Sequence, residues 1–589
     1  MDEMLFSLSV ENAILKKSEK KEVIAFDFFD TIMFRHVHSH QLMMQWSRAM
    51  KRKFCGLKNI DLVSLRQDII KSSNLNECEI NYNVLVSLIY ERLVAQTIIL
   101  PPKDEFFTAS YLIDYSIDLA TQFPNRNMVD VAKKLKSNGK RIVLITDYYL
   151  PGISYKKYLN QYGIAEVFDK IYCSSDYGQS KYNGNLYKCV LDELAIEPSK
   201  VLMIGDSKKS DYENALSQGM DAYRYFPVFH KLLTNYRKLT NYSFQKYGAR
   251  DVFDSSYNHT LFGEYSLNLF FFSRELFNCA TKENVGIISF LSRGGYFLQK
   301  CFDYYALFTN EDVSIKSLYL KNSRKVNKKA DTSDEDAILL KKYIEPFLYD
   351  YKLCVVDEGW YCTSQITIQN RTKYETIGFY IGIMGRDEKD IEHKRKGILF
   401  DVDEAGKETP LYGVFRTNCT FYEQLLSAPH GSAIAYEESE GGINVIEVWQ
   451  EKEKVNYFEN IKPIQKIILE YLGGLAVWDC ELTKYELACY VLKTLLFANQ
   501  DRLNLEDKII DNWYDNANDT TEKKFGRMMD IKFNPFVAFV KPEKYLRYFC
   551  KLKNLKLKYG FMRFAYPLLG TVIYLMCRIS IFLKYRDEV

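Results

Sequence analysis

Four short pieces of this chain, far apart in sequence, carry groups that together handle phosphate. The apolar run Val23-Ile24-Ala25-Phe26 delivers Asp27, and Arg141-Ile142-Val143-Leu144-Ile145 delivers Thr146. Ser180-Lys181-Tyr182-Asn183-Gly184 offers a lysine, and Val201-Leu202-Met203-Ile204-Gly205 delivers Asp206, with Asp211 five residues beyond. A carboxylate can attack phosphorus, acids can hold a divalent ion that offsets the charge, and a lysine with a hydroxyl can clamp the oxygens.

Such groups must be brought together by elements that end at one place. Short, continuously apolar runs are the pattern of buried parallel strands, and open α/β sheets place their ligands at the carboxyl ends of those strands. The order of the four pieces resembles the haloacid dehalogenase-like (HAD) hydrolase superfamily over roughly residues 20–230. The resemblance implies that Asp27 is the nucleophile and that Thr146 and Lys181 bind phosphate. It also implies that Asp206 is the principal Mg2+ ligand, aided by Asp27, the Phe29 carbonyl and Asp211.

One position departs from that pattern. HAD phosphatases carry a second Asp two residues after the nucleophile as general acid and base, and here that residue is Phe29. Asp30, one further on, either substitutes by a shifted route or caps the following turn. Between the first two pieces, Gln41 to Lys53, Val84 to Thr97 and Ala109 to Thr121 have helical spacing, which predicts a helical cap over about 36–138. At its start, His36, His38 and His40 read as an exposed polar loop, with metal binding as the alternative.

A second set of strand tips follows. Val285 to Leu291 runs into Ser292-Arg293-Gly294-Gly295, Ser317 to Leu320 into Lys321-Asn322-Ser323-Arg324, and Leu353 to Val356 into Asp357-Glu358-Gly359-Trp360-Tyr361-Cys362-Thr363-Ser364. Paired glycines let backbone N–H groups approach an anion, and arginine adds a charged donor. Adjacent acids before a hydroxyl loop suit a ribose 5-phosphate.

The series resembles the type I phosphoribosyltransferases over roughly 280–435. That resemblance implies that Arg293, Gly294 and Gly295 face diphosphate with help from Arg324, that Asp357 and Glu358 hold ribose, and that Thr363 and Ser364 hold the 5-phosphate of phosphoribosyl diphosphate (PRPP). The alternative is an unrelated α/β domain whose strands end in turns. Further on, Glu423 and His430 are candidates for contact with an acceptor, or parts of a capped core helix.

At 589 residues the chain exceeds the roughly 250 to 300 that one core sustains. Apolar content of 47% and charged content of 26% describe a folded protein without low-complexity tracts. The expected fold is α/β. A HAD-like Rossmannoid parallel sheet with a helical cap occupies 1–235, a phosphoribosyltransferase-like α/β domain 250–450, and a helical region with a basic amphipathic tail 451–589. The thirteen cysteines form no CxxC pair and no zinc spacing, as in a reducing compartment.

From Lys541 to Val589 there are eleven Lys or Arg and three acids, against +3 for the whole chain. The apolar stretch there is shorter than the roughly 20 residues of a membrane span, so an interfacial helix is expected, with an internal packed helix or a true span as alternatives. Nucleic acid does not suit this apolar tail. The acidic start Met1-Asp2-Glu3-Met4 lacks a signal-peptide pattern, so a cytoplasmic protein, peripheral on the inner face of the membrane, is expected.

The layout resembles bacterial HAD proteins associated with surface-polysaccharide synthesis. It implies ribosylation of a glycan from PRPP followed by removal of the 5-phosphate, with the acceptor lipid-linked. Two alternatives stand beside it: a HAD phosphatase on a sugar- or lipid-linked phosphate whose second domain only binds the acceptor, and a non-catalytic membrane-associated scaffold. The sequence does not set an oligomeric state.

Overall fold

The computed structural model describes residues 2–74, 80–240, 242–309, 315–385, 394–403, 406–417, 419–497, 500–511 and 562–585. Most of the basic tail, 541–561, lies outside the described residues. The chain divides into two compact units: residues 1–260 with 307–311 and 473–481, and the remainder. The stretch between the expected domains 1–235 and 250–450 holds the end of the helix Val228–Leu239 and the start of Phe244–His259. Phe244, Ala249, Val252 and Phe253 of the second helix are buried, so the first unit runs on to Thr260.

In the first unit, β1 (Val23–Phe26), β2 (Arg141–Thr146), β3 (Lys170–Cys173), β4 (Val201–Gly205) and β5 (Asp221–Arg224) form one sheet. Its order is β3-β2-β1-β4-β5 with every pair parallel. β1 is central and wholly buried, as a strand covered on both faces must be, which explains its unbroken apolar run. Phe26 aligns with Leu144 on one side and Ile204 on the other. The ends of β1, β2 and β4 therefore meet where the strand order reverses, the usual ligand crevice of such sheets.

The cap is helical, comprising Ser39–Lys53, Leu62–Asn74, Tyr82–Ala95 and Lys103–Thr121. The antiparallel pair Met33–Arg35 and Gln122–Pro124 ties its two ends together. Its interior is fixed by a buried ion pair: Arg66 donates to both carboxylate oxygens of Asp114 at 3.1 and 3.0 Å, and Tyr82 OH donates to the same carboxylate at 3.0 Å. Charge in a core is tolerated when it is paired and hydrogen-bonded in this way.

In the second unit, β6 (Ile287–Leu291), β7 (Lys316–Leu320), β8 (Lys352–Trp360), β9 (Glu375–Ile383) and β10 (Lys394–Phe400) form another parallel sheet, ordered β10-β9-β8-β6-β7. The hairpin β11 (Ser432–Ser439) and β12 (Gly442–Val448) adds Ala433 and Tyr436 to a core that includes Leu291, Leu320, Leu353 and Val355. Helices Lys484–Phe497, Gln500–Asp511 and Met562–Tyr585 follow. Among the described residues, eleven cysteines are outside any disulfide, and no helix is long and apolar enough to cross a membrane.

Candidate functional site

The first site is built on three strand ends. The Asp27 N–H donates to the Ile204 carbonyl at 2.8 Å, which fixes the residue after β1 against β4. Lys181 Nζ lies 2.5 Å from Asp27 Oδ1 and 2.6 Å from Asp211 Oδ1. Its loop is held by Asp147, whose carboxylate accepts from the N–H groups of Lys181 (2.8 Å) and Tyr182 (3.2 Å). Asn214 Nδ2 donates to the carbonyls of Lys181 and Tyr182 at 2.8 and 2.6 Å. Thr146 is buried and its Oγ1 has no hydrogen-bond partner, a hydroxyl left for a ligand oxygen.

Oxygens of Asp27, Asp206 and Asp211 lie within 4.8 Å of one another. A Cβ on Gly205 would stand 2.4 Å from Asp211 Cγ, so only glycine lets that carboxylate approach the strand end. Three clustered carboxylates are the hard oxygen donors that magnesium prefers. Burial pushes the Asp27 carboxyl well above the usual range, and Asp211 and Asp206 add to this against Lys181. Burial works against the Lys181 charge, but Asp211 and Asp27 outweigh it and keep the lysine protonated.

Phe29 holds the place of a proton-transfer residue with a ring. The Arg35 guanidinium lies 3.5 Å from the Phe29 ring centroid, and the Tyr148 ring meets its edge at 5.0 Å. Arg35 is paired with Asp118 at 3.0 Å. Asp30 takes φ 57°, a left-handed conformation that Asp adopts more readily than bulkier residues. There His230 Nε2 lies 3.3 Å and Lys231 Nζ 3.6 Å from its carboxylate. Burial raises the Asp30 pKa, yet His230, Lys231 and Arg35 outweigh it and the net shift is downward.

Lys231 also lies 2.6 Å from Asp206 Oδ2. Lys231 and His230, both on the helix Val228–Leu239, were not singled out in the sequence, and neither were Asp147 or Arg35. Nothing local marks the helix pair, since they follow the last strand in an ordinary amphipathic run. His36 is not an exposed loop residue: its side chain is 11% exposed, and its ring lies between Ser255 Oγ at 3.0 Å and Arg237 at 3.2 Å. His38 caps the helix Ser39–Lys53 by accepting from the His40 N–H.

The second site is a cavity of about 640 Å³ at the carboxyl ends of β6, β7 and β8. Its lining includes Arg293, Gly294, Arg324, Asp357, Glu358, Thr363, Ser364 and Glu423. Lys325 and Lys328 add charge beside Arg324. Asp357 Oδ1 accepts the Glu358 N–H at 2.9 Å, and burial, then Glu358, push the Asp357 carboxyl well up. Glu358 Oε2 is buried without a hydrogen-bond partner. Cys362, at φ 55°, precedes the helix Thr363–Thr372, and Cys362, Thr363 and Ser364 at that helix's start line the cavity.

Not every expected residue reaches the cavity with free groups. Arg293 is held by Glu453 at 3.0 and 3.2 Å. Gly295 is not in the lining: it opens the helix Gly295–Ala306, where a Cβ would meet the Phe290 carbonyl carbon at 2.8 Å. His430 also lies outside the lining, its ring nitrogens 2.8 Å from Tyr319 OH, the Gly431 carbonyl and Glu447. Glu423 Oε1 accepts from Trp360 Nε1 at 2.7 Å.

Residues 21–217 match the family described as haloacid dehalogenase-like hydrolase. With the parallel sheet and the converging residues described above, the first unit carries a HAD-like hydrolase domain. Among solved structures, a 2-haloacid dehalogenase from Pseudomonas syringae pv. Tomato DC3000 is 15% identical, with a TM-score of 0.27, covering 35% of this chain and 86% of its own. A HAD phosphatase from Thermococcus onnurineus is 18% identical, with a TM-score of 0.23, covering 34% and 84%. A search of curated proteins found no match.

Proposed function

We propose that the protein ribosylates a bacterial glycan in two steps: transfer of ribose 5-phosphate from PRPP to a lipid-linked polysaccharide acceptor, then removal of the 5-phosphate by the HAD-like domain. The observation that carries this reading is one cavity of the second unit. It gathers cations (Arg324, Lys325, Lys328) that follow β7 and a pair of adjacent acids (Asp357, Glu358) at the end of β8, neighbouring regions of one sheet.

In the first step the acids accept from the two ring hydroxyls of ribose, and Thr363, Ser364 and the helix N-terminus hold the 5-phosphate. Gly294 and Arg324 face the diphosphate, Arg293 being engaged by Glu453. The bond from C1 to diphosphate breaks, the acceptor oxygen bonds to C1, and Glu423, positioned by Trp360, takes the hydroxyl proton. Release of diphosphate separates the products.

In the second step Asp27 attacks the phosphorus while Lys181 and Thr146 hold the non-bridging oxygens, and the ester bond to the sugar breaks as the leaving 5-oxygen takes a proton from water. Water then releases phosphate from Asp27. Asp27, Asp206 and Asp211 would hold magnesium, which supplies charge neutralisation at the phosphate when bound.

Incubation with PRPP and a lipid-linked glycan tests the reading. Diphosphate release should require acceptor and vanish in Asp357→Ala, and Asp27→Asn should accumulate the phosphorylated product. Absence of PRPP binding and turnover would refute it. The Phe29–Arg35 stack favours a second reading, in which the first unit binds phosphate without turning it over; phosphorylated product would then accumulate in the unaltered protein as well.

A further inference from the structure

We propose that the helix Met562–Tyr585 lays an outer apolar face on the surface of a bilayer rich in anionic lipid. The helix has two distinct faces. Ile573, Cys577 and Ile581, spaced four apart, are buried, and Tyr574 meets Phe497 of the helix Lys484–Phe497 at 6.1 Å between ring centroids. That face belongs to the protein. On the other side Leu568, Leu575, Ile579, Phe582 and Leu583 are each at least half exposed, with Val572 nearly so. At 1.5 Å per residue the stripe from 568 to 583 is about 22 Å long, and an apolar patch of this kind marks an interaction surface.

Charge identifies the occupant. The helix contains Arg563, Arg578 and Lys584 and no acid, and the 21 residues before it contain seven Lys or Arg and one Glu. A cationic segment beside an apolar helix face suits anionic headgroups, each cation near the surface contributing about 1 kcal/mol. The exposed residues 568, 572, 575, 579 and 582 alternate in steps of four and three, which would also suit a second helix. A helix seam, however, carries paired opposite charges along its edges. Here one edge is Leu569, Met576 and Leu583, and the other holds Thr571 and Arg578, the latter over the Tyr574 ring at 5.7 Å. Neither edge offers the paired opposite charges of such a seam. Because one side of the helix packs on its own unit, the helix lies along the surface of a bilayer instead of crossing it.

Sedimentation of the full chain with vesicles of phosphatidylglycerol and phosphatidylcholine tests this. The unaltered protein should bind the mixed vesicles, release in high salt, and bind pure phosphatidylcholine poorly. The triple variant Leu575→Gln, Ile579→Gln, Phe582→Gln should bind at least about tenfold more weakly, with an unchanged melting temperature because the altered side chains are exposed. Failure of the unaltered protein to sediment with anionic vesicles, or undiminished binding by the triple variant, overturns the proposal. So does light scattering that reveals a dimer dissolved by the same substitutions, which would assign the face to a second copy of the chain.

Discussion

Gly294 and Glu358 share a space that admits one side chain: a Cβ built on Gly294 would lie 1.6 Å from Glu358 Oε2. The two residues come from different strand ends, β6 and β8, so the glycine of one loop decides where the acid of the other can stand. Gly294→Ala should therefore push Glu358 aside and weaken PRPP binding by about tenfold or more, the loss expected for a displaced charged hydrogen-bonding group. In a Glu358→Ala background the same alanine should cost little further, because the clash is gone. Calorimetric titration with PRPP across the four proteins reads both effects.

Phe29 predicts slow hydrolysis. Its ring lies under the Arg35 guanidinium, 3.5 Å from it, at the position where HAD phosphatases carry a proton-transferring carboxylate. Phe29→Asp should raise steady-state hydrolysis of p-nitrophenyl phosphate by about tenfold or more, the lower end of what a positioned acid or base supplies. An unchanged rate, with labelling of Asp27 intact, would show that the ring does not limit turnover.

Lys231 shares Asp206 with any cation bound there. Lys231→Met should lower the magnesium concentration for half-maximal hydrolysis by about fivefold, the worth of a partly exposed ion pair near 1 kcal/mol. Chelation with EDTA should abolish the activity in both proteins. Magnesium titration of the two preparations measures the difference.

His36 couples the stability of the first unit to pH. Burial pushes its pKa from 6.5 down to about 4, with Asp251 opposing and Arg237 adding to the shift. Because the folded value is depressed, the unfolded chain binds the extra proton. The associated stability is complete above pH 6.5 and is lost as pH falls toward 4. The loss should amount to roughly 2 to 3 kcal/mol over that window. Urea unfolding near neutral pH and near pH 5 should show it, and His36→Gln should flatten the difference.

How far the sequence reveals this site depends on the kind of signal each residue leaves. Asp27, Thr146 and Asp206 end apolar runs that are themselves buried strands, so their convergence follows from local pattern plus the rule for strand ends. The cavity-lining Arg293, Gly294, Asp357 and Glu358 are legible for the same reason. Lys231 and His230 are not, because their role comes from a helix folding back after the last strand. His36 misleads for the converse reason: a polar residue among histidines looks exposed until Asp251 and Arg237, some two hundred residues away, close over it. The ion pairs of Arg293 with Glu453 and of His430 with Glu447 are not legible, because those acids reach them from distant segments only in the folded chain.

The reach of Lys181 to both Asp27 and Asp211 has a consequence for the order of events. With Lys231 on Asp206 and Asp30, the cluster sets two ammonium groups against four carboxylates, so when all are ionised it stands two charges short of neutrality. A phosphate ester is itself anionic at neutral pH and meets repulsion until the carboxylates have taken up a divalent ion. A divalent ion held by Asp27, Asp206 and Asp211 would offset that excess, so hydrolysis is expected to require metal binding ahead of an anionic substrate.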